Sequence, residues 1–275
     1  MAFYEKTNLN INSKLLDLST PQVMGIINLT SDSYFAESRV SDVDELVARA
    51  GQMIKDGASI LDLGAMSTRP GAIDLGEEVE LARLIPAIQA LTYAFPEIII
   101  SIDTYRSEVA KQCIAVGAHI INDISGGQAD PKMINTVAEL QVPYIIMHMK
   151  GMPHTMQDNP QYDNVVLEIF SQLNSTCKKL TEAGIKDIII DPGFGFGKTV
   201  DHNYEILDHL DHFKNIGHPL LVGISRKSMI YKPLDSTPED SLPATSALHR
   251  LALEKGANIL RVHDVKEAAD LITNF

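Results

Sequence analysis

The stretch Ile98-Ile99-Ile100-Ser101-Ile102-Asp103 is a β-branched run that ends in a carboxylate, and it represents the pattern from which the fold of this chain can be predicted. A short strand that is apolar at nearly every position is typical of a parallel sheet covered on both faces. The same arrangement, an aliphatic run followed by polar residues, occurs eight times along the sequence. The polar residues that follow the runs are Asn28, Asp62, Asp103, Asn122, His148, Asp191, Ser225 and Arg261.

The segments between these runs have the periodicity of amphipathic helices. In residues 42–55, apolar side chains recur at i, i+3, i+4, i+7 and i+11. Seven later segments fit the same pattern, over residues 77–93, 106–116, 131–140, 164–183, 203–210, 244–255 and 265–272. Alternating strands and helices predict an α/β fold with a parallel sheet. Eight units favour a closed (β/α)8 TIM barrel over an open sheet, and the GxGxxG motif typical of a Rossmann fold is absent after the first run.

The length of the chain fits one such barrel. At 275 residues it is close to the typical size, so residues 1–275 are predicted to form a single TIM-barrel domain. Residues 8–18 alternate between polar and apolar side chains. This alternation predicts a short amino-terminal β-hairpin that closes the bottom of the barrel.

Composition excludes several classes of partner. The net charge of −13 argues against nucleic acid, which is bound through a basic face. No apolar run approaches the roughly 20 residues of a membrane span, and residues 1–12 lack the apolar core of a signal peptide. Cys113 and Cys177 are the only cysteines, and we expect buried thiols of a reducing compartment. The chain is therefore predicted to be cytoplasmic, with small-molecule partners and no membrane.

Polar groups at the carboxyl ends of parallel strands are how TIM barrels build active sites. Asp62, Asp103, Asn122 and Asp191 end apolar runs, where a carboxylate needs a partner. A carboxylate that accepts two N–H bonds suits an amidine-like ring edge, and an asparagine both donates and accepts. Asp103, Asn122 and Asp191 are thus predicted to bind a flat nitrogen heterocycle, such as a guanine-type or pterin ring. The alternative is a set of salt bridges or loop caps.

Positive groups gather at the same predicted mouth. They are Arg69, Lys227, Arg261 and His263. In so acidic a chain this convergence suggests an anionic ligand group, most naturally a phosphate. Arg69 could instead be a solvent-exposed loop arginine, whereas Arg261 lies inside an apolar run, where an unpaired guanidinium would be very costly.

Two other sites are not supported. A Walker A motif ending at Lys198-Thr199 requires glycine at position 192, which is Pro192. His148 and His154 lack a third ligand, so a zinc pair is not predicted.

These segments together resemble a known family, the dihydropteroate synthases, which are pterin-binding barrel enzymes of folate biosynthesis. The similarity runs from about Leu15 to the carboxyl terminus, and the matching blocks occur in family order. The blocks are Met24-Gly25-Ile26-Ile27-Asn28-Leu29-Thr30-Ser31-Asp32-Ser33, Ser67-Thr68-Arg69-Pro70-Gly71-Ala72, Ser101-Ile102-Asp103-Thr104, Ile121-Asn122-Asp123, Met147-His148-Met149, Asp191-Pro192-Gly193-Phe194-Gly195-Phe196-Gly197-Lys198, Ser225-Arg226-Lys227-Ser228 and Arg261-Val262-His263-Asp264.

The resemblance implies that p-aminobenzoate displaces pyrophosphate from (7,8-dihydropterin-6-yl)methyl diphosphate. It also implies the roles of residues at matching positions. The pterin would be held by Asp103, Asn122, Asp191, Lys227 and Arg261, with Met147 lining its pocket. The pyrophosphate subsite would comprise Asn28, Arg69, Arg261 and His263. The p-aminobenzoate pocket would be bordered by Thr68, Phe196 and Ser228.

The same resemblance implies a Mg²⁺ cofactor, with Asn28 as a ligand, and a homodimer formed through outer helices. The catalytic groups would be Arg69, Lys227, Arg261 and His263. No general base is assigned, because the aniline nitrogen of p-aminobenzoate needs positioning more than proton removal.

Two segments depart from the family pattern. Ser31 replaces the usual proline of the first loop, residues 35–38 replace its glycine-rich part, and Ala65-Met66 replaces the commoner Gly-Glu. One alternative is therefore a pterin-binding homologue that has lost synthase activity. The other is a methyltetrahydrofolate-dependent corrinoid methyltransferase, which shares the barrel but has no need of a diphosphate clamp.

Overall fold

The carboxyl ends of eight parallel strands meet at one mouth in the computed structural model of the chain. The residues it describes are 6–11, 14–29, 39–65, 76–151, 156 and 159–275. Two elements come first, β1 (Asn8–Ile11) and β2 (Lys14–Asp17), which pair in antiparallel fashion. The barrel strands are β3 (Gln22–Asn28), β4 (Ile60–Gly64), β5 (Ile99–Asp103), β6 (Ile120–Asp123), β7 (Tyr144–Met147), β8 (Ile188–Asp191), β9 (Leu221–Val222) and β10 (Ile259–Val262).

Neighbouring strands pair in the order β8-β7-β6-β5-β4-β3-β10-β9, all in parallel. An isolated parallel bridge between Ile190 and Leu220 joins β8 to the start of β9. The Ile190 amide donates to Pro219 O over 2.9 Å at this position. The bridge completes the ring, so the predicted TIM barrel is confirmed.

Helices cover the outside of this ring. They are α1 (Arg39–Lys55), α2 (Glu77–Ala94), α3 (Ser107–Ala115), α4 (Met133–Leu140), α5 (Val165–Glu182), α6 (Val200–Asp208), α7 (Ser228–Tyr231), α8 (Leu242–Glu254) and α9 (Val265–Thr273), with a 3-10 helix at Leu210–Ile216. Cys113 and Cys177 are buried free thiols on α3 and α5, as predicted. Within the ranges given above, no helix has the length and apolar composition that a membrane span requires.

The hairpin closes the amino-terminal end of the barrel. Leu9 and Ile11 of β1, together with Leu18, pack in one cluster with the first inward-facing residues of the strands. These strand residues are Met24, Ile60, Ile120, Ile145, Ile189, Leu221 and Ile259. The predicted closure of the barrel bottom is confirmed, and it makes this end a solid apolar floor.

The polar residues occupy the next layer toward the mouth. Side chains alternate between the two faces of a strand, so the residue two positions after each floor residue also points inward. These second positions are the polar residues Asp62, Asn122, Asp191 and Arg261, together with Ile26, Met147 and Gly223. Strand register sets the height of each side chain along the barrel axis. Asp103 of β5, for example, pairs with Gly64 of β4 on one side and with Asn122 of β6 on the other. The chain thus places an apolar layer below and a polar layer above it.

Candidate active site at the carboxyl-terminal mouth of the barrel

Arg261 is the centre of a charged network inside the barrel. Its Nε donates to Asp62 Oδ2 over 2.6 Å, and its Nη2 donates to Asp103 Oδ2 over 3.1 Å. Asn122 Nδ2 donates to the same Asp62 oxygen over 3.1 Å. Strands β4, β5, β6 and β10 therefore each contribute one polar side chain to a continuous hydrogen-bonded group.

The acids of this network lie in a low-dielectric environment. Asp62 is fully buried, and its Oδ1 has no hydrogen-bond partner among the described residues. Burial raises the pKa of Asp103, although Arg261 pulls it the other way. Burial also raises the pKa of Asp191, which Lys227 and the Gly193 amide oppose. The carboxylates of Asp103 and Asp191 therefore depend on nearby cations to stay ionised.

Lys227 approaches the network from the loop after β9. Its Nζ lies 3.9 Å from where a side-chain Cβ on Gly223 would stand, and Arg261 Cβ lies 3.9 Å from the same point. Nζ also donates to Phe194 O over 2.6 Å and lies 4.8 Å from the centroid of the Phe196 ring. Burial lowers the pKa of Lys227 to about 8, partly offset by Asp191. A cation and an aromatic face thus border the acidic group.

The loop after β8 is held in place by a buried lysine. Lys198 Nζ contacts Gly193 O at 2.7 Å, Phe196 O at 2.9 Å and His148 Nδ1 at 3.0 Å. Burial lowers the pKa of His148 to about 3, and the neighbouring Lys198 adds to this, so its ring is neutral and accepts the bond. Lys198 therefore connects β7 to the loop that presents Phe196.

Asn28 and Met147 take different positions at the mouth. Asn28 ends β3 and is exposed, and its Oδ1 lies 3.8 Å from the Cβ position of Gly64. Asp103 Oδ2 lies 3.7 Å from that position, so Gly64 separates the amide from the carboxylate. Met147 ends β7, is buried, and pairs in register with Asp191. Asn28 is thus open to an incoming ligand, whereas Met147 lines the interior of the barrel.

His263 lies one residue beyond the end of β10 and two positions after Arg261. Ser225 Oγ lies 3.2 Å from its Nδ1 and accepts its backbone N–H over 3.1 Å. Burial lowers the pKa of His263 to about 4, and Arg261 and Arg226 contribute. The sequence suggested a positive group here, whereas the imidazole is neutral at physiological pH.

Other predicted residues lie at the edge of the site or outside the described residues. Ser228 is the first residue of α7, half-buried and next to Lys227. Arg69 and Thr68 lie outside the described residues, as does the atypical first loop at 30–38. The segment that carries them is flanked by Ala65, whose carbonyl accepts from Arg83 Nη1 over 2.8 Å. Nearby, Arg106 forms an ion pair with the buried Glu80.

The sequence and the fold of the chain match those of proteins of known activity. A model of the pterin binding enzyme family matches residues 24–263. The chain is 42% identical over 266 residues to the dihydropteroate synthase of Haemophilus influenzae, covering 96% of both chains. The chain belongs to the dihydropteroate synthase family of pterin-binding enzymes.

Solved structures of this family have the same fold. The Yersinia pestis dihydropteroate synthase with a sulfonamide drug has a TM-score of 0.91 and 38% identity, covering 97% of both chains. The Xanthomonas albilineans dihydropteroate synthase with 4-aminobenzoic acid has a TM-score of 0.90 and 38% identity, covering 98% of this chain and 96% of that one. The family assignment predicted from the sequence blocks is confirmed.

Three polar residues of the site were given no role by the sequence. Asp62 was recognisable as an acid at the end of an apolar run, but its partner Arg261 lies 199 residues away. Lys198 and Ser225 lay inside quoted motifs, yet their contacts to His148 and His263 depend on how adjacent loops meet. The spacing of residues along the chain does not predict such contacts.

Proposed function

We propose that the chain catalyses the dihydropteroate synthase reaction at this mouth. In that reaction the nitrogen of p-aminobenzoate replaces the diphosphate of (7,8-dihydropterin-6-yl)methyl diphosphate. One observation carries the proposal. Acids and cations gather in one cluster at the mouth of the barrel, because Arg261 contacts Asp62 and Asp103 while Lys227 lies close to Arg261 across Gly223. Such a cluster suits a ligand with a nitrogen heterocycle at one end and an anion at the other.

The pterin would bind at the acidic part of this cluster. Asp103, Asn122 and Asp191 supply the acceptors and the amide that a pterin edge requires, and they come from β5, β6 and β8. Lys227 would donate to ring acceptors, and Arg261 would lie against the ring face. Met147 would line the pocket, since it is buried beside Asp191 in register.

The diphosphate would leave toward the open side of the mouth. The C–O bond breaks with its electron pair on the diphosphate, and a cation develops on the pterin methylene. Arg261 and His263 would hydrogen-bond the departing oxygens, which lowers the barrier because Asp62, Asp103 and Ser225 already position them. Arg69, which lies outside the described residues, is proposed to act with them. His263 would contribute as a neutral N–H donor, given its depressed pKa of about 4.

The aniline nitrogen of p-aminobenzoate would then form the C–N bond and release its proton. Phe196 beside Lys227 offers an apolar face for the benzoate ring, and Ser228 lies next to Lys227. Thr68 would complete this pocket. The proposal is supported by the Xanthomonas relative, whose structure holds 4-aminobenzoic acid in a fold of the same kind. Positioning, rather than a strong base, would set the rate.

Mg²⁺ is the proposed cofactor, with Asn28 as its protein ligand. The exposed amide oxygen of Asn28 suits a hard cation, and Mg²⁺ commonly takes few protein ligands together with substrate phosphates. Among the described ranges, no group of three or more His, Cys, Asp or Glu residues could hold a metal. This fits an ion that arrives with the diphosphate. When bound, it would neutralise charge on the leaving group.

Assembly and location are part of the same proposal. As the family resemblance implies, we propose a homodimer formed through the outer helices. Two buried free thiols support a reducing compartment such as the cytoplasm. Sedimentation of the purified protein tests the dimer, and a monomer at micromolar concentration would contradict it.

The activity is tested by mixing the protein with pterin diphosphate, p-aminobenzoate and Mg²⁺. We expect equal amounts of pyrophosphate and 7,8-dihydropteroate, with no dihydropteroate formed when p-aminobenzoate is omitted and neither product formed when Mg²⁺ is omitted. Asp103→Asn should lose most of the product, because the amide replaces one acceptor with a donor. Tight pterin binding without pyrophosphate release would instead indicate a homologue that has lost synthase activity.

A further inference from the structure

The loop after β9 is joined to the end of β10 by two adjacent side-chain bridges. Ser225 contacts His263, as described above. Arg226 donates to Asp264 through Nε at 3.0 Å and Nη2 at 2.6 Å, a two-pronged ion pair. Consecutive residues of one loop thus bind consecutive residues of the next strand end.

The backbone of this loop is unusual at the second bridge. Arg226 has a φ of 55°, in the left-handed region that residues other than glycine rarely adopt. Such a conformation is strained and persists only where surrounding contacts hold it. Here the Asp264 pair holds it. The strained residue Arg226 lies between Ser225 and Lys227, the two polar residues that this loop contributes to the site.

The hydroxyl of Ser225 has a defined hydrogen-bonding direction. Its oxygen accepts the backbone N–H of His263, so its proton cannot point at that nitrogen. Among the described residues, Nδ1 of His263 at 3.2 Å is the other hydrogen-bonding group within reach of Oγ. Since Ser225 is buried, the hydroxyl proton needs an acceptor, and Nδ1 supplies it. Nδ1 then carries no proton.

The neutral state of His263 agrees with a hydrogen bond donated by the Ser225 hydroxyl to Nδ1. The ring is surrounded by Arg261, Arg226 and Arg49, which oppose protonation, and by Asp264, which favours it; burial dominates and lowers the pKa to about 4. A neutral imidazole has one N–H, and the hydrogen bond at one nitrogen decides which nitrogen carries it. With Nδ1 as acceptor, the N–H is at Nε2.

We propose that Ser225 is a positioning residue that fixes His263 as its Nε2–H tautomer, so that His263 offers the diphosphate an N–H donor. In the opposite tautomer, Nε2 would present a lone pair to an anion and repel it. The inference rests on the proposed function for its consequence in catalysis. The tautomer itself is a property of the free protein and is tested without substrate.

The first test is long-range ¹H–¹⁵N correlation NMR on protein labelled with ¹⁵N-histidine. The His263 signals are assigned by their loss in His263→Gln. We expect the Nε2–H tautomer in the wild-type protein and in Ser225→Thr, which keeps the hydroxyl. Ser225→Ala should show the Nδ1–H tautomer or a mixture. An Nδ1–H tautomer in the wild type, or an unchanged tautomer in Ser225→Ala, would overturn the proposal.

The second test is steady-state kinetics on the same variants. Ser225→Ala should lower kcat/KM for pterin diphosphate about tenfold, the effect of one hydrogen bond, and leave KM for p-aminobenzoate unchanged. Ser225→Thr should recover most of the loss. Ser19→Ala, an exposed serine near the bottom of the barrel, is the matched control and should behave as wild type.

The two tests separate the inference from the proposed function. If the wild type forms no dihydropteroate but His263 is the Nε2–H tautomer in the wild type and not in Ser225→Ala, the reaction is misassigned and the positioning role of Ser225 toward His263 stands. If the wild type is active and Ser225→Ala matches it in kcat/KM, the positioning role is wrong. An equal rise in the KM of both substrates for Ser225→Ala would indicate general loosening of the site, which also contradicts the proposal.

Discussion

Arg261 shows how a single residue can serve both stability and binding. Its guanidinium is the cationic partner of Asp62, a fully buried carboxylate on a strand 199 positions earlier. Removing one member of a buried ion pair leaves the other charge desolvated, which costs far more than breaking a surface pair. A loss of activity on changing Arg261 therefore combines a missing ligand contact with a weakened fold, and stability must be measured alongside turnover.

We predict that Arg261→Ala abolishes turnover and lowers the free energy of unfolding by about 3–5 kcal/mol, because Asp62 stays buried without its cation. Urea denaturation of the variant measures the second effect. Arg250→Ala is the control, since Arg250 forms an exposed i,i+4 pair with Glu254 and should change stability by about 0.5 kcal/mol or less. Near wild-type kcat/KM in Arg261→Ala would remove Arg261 from the proposed clamp.

The pH dependence of kcat/KM for pterin diphosphate should have two limbs in the free protein. As pH rises through about 8, Lys227 loses its proton, because burial lowers its pKa to about 8, and the ammonium donor is lost. As pH falls, Asp103 is protonated at a higher pH than an ordinary aspartate, because burial raises its pKa. The loss of this carboxylate acceptor lowers kcat/KM and gives the acidic limb. We expect Lys227→Arg to move the alkaline limb upward. A flat profile from about pH 7 to pH 10 would contradict the role of Lys227.

Much of the site was predictable because each residue marks the end of its own strand. Asp103, Asn122, Asp191 and Arg261 each follow an apolar run, and parallel strands bring such ends together regardless of loop detail. The protonation of His263 was not predictable, since it depends on burial and on arginines from other elements. Local sequence thus predicts which residues converge but not the electrostatic environment that they create.

At the level of elements, the loop after β8 is shaped by close backbone approaches. A Cβ at Gly193 would lie 2.0 Å from His148 O, and a Cβ at Gly197 would lie 2.3 Å from Lys150 O. Both glycines have positive φ, 74° and 64°. Only glycine fits at these points, and the close packing lets Lys198 reach three carbonyls and a histidine from one position.

We predict that Gly193→Ala displaces this loop and loses pterin diphosphate binding, because the added methyl group meets backbone that cannot move away. Gly184→Ala provides the matched control. Gly184 also has a positive φ, 90°, but a Cβ there meets no described atom within 4 Å. It should show only the conformational cost of about 1–2 kcal/mol, with normal binding. Calorimetric titration of both variants compares them, and equal affinities would contradict the packing role.

Most helices were predictable from periodicity, with ends displaced by a few residues. The clearest difference is at residues 203–210, where α6 instead spans Val200–Asp208 and is followed by a 3-10 helix at Leu210–Ile216. Thr199 begins α6 by accepting the His202 amide over 3.1 Å, and the His202 ring accepts the Thr199 amide in return. A capping box that uses histidine lies outside the usual Ser/Thr and Glu/Gln pattern, so the helix start was missed.

At the scale of the whole molecule, the barrel has two ends with separate tasks. The bottom is a dry cluster of the hairpin and the first strand residues, and the top carries the polar network. In TIM barrels generally, the bottom contributes stability and the top contributes chemistry. Substitutions at the bottom of the barrel should therefore change the free energy of unfolding without changing kcat.

We predict that Leu9→Ala lowers the free energy of unfolding by about 2–5 kcal/mol, because it opens a cavity under the barrel floor. Leu9 is fully buried, whereas Leu15 of the same hairpin is 73% exposed. Leu15→Ala should change stability by about 0.5 kcal/mol or less. Chemical denaturation compares the two, and kcat of both variants at a temperature where they are folded should match the wild type. A large fall in kcat for Leu9→Ala would show that the two ends are coupled.

The single bridge between Ile190 and Leu220 has a dynamic consequence. Where strands share few backbone hydrogen bonds, local opening is easiest, so amide protons there should exchange with deuterium sooner than those between β4 and β5. Asp191 ends the strand on one side of this seam, and Lys227 follows the strand on the other. A ligand that contacts both residues would stabilise the pairing of β8 with β9. Deuterium exchange of the Ile190 amide proton should therefore slow when pterin diphosphate is added.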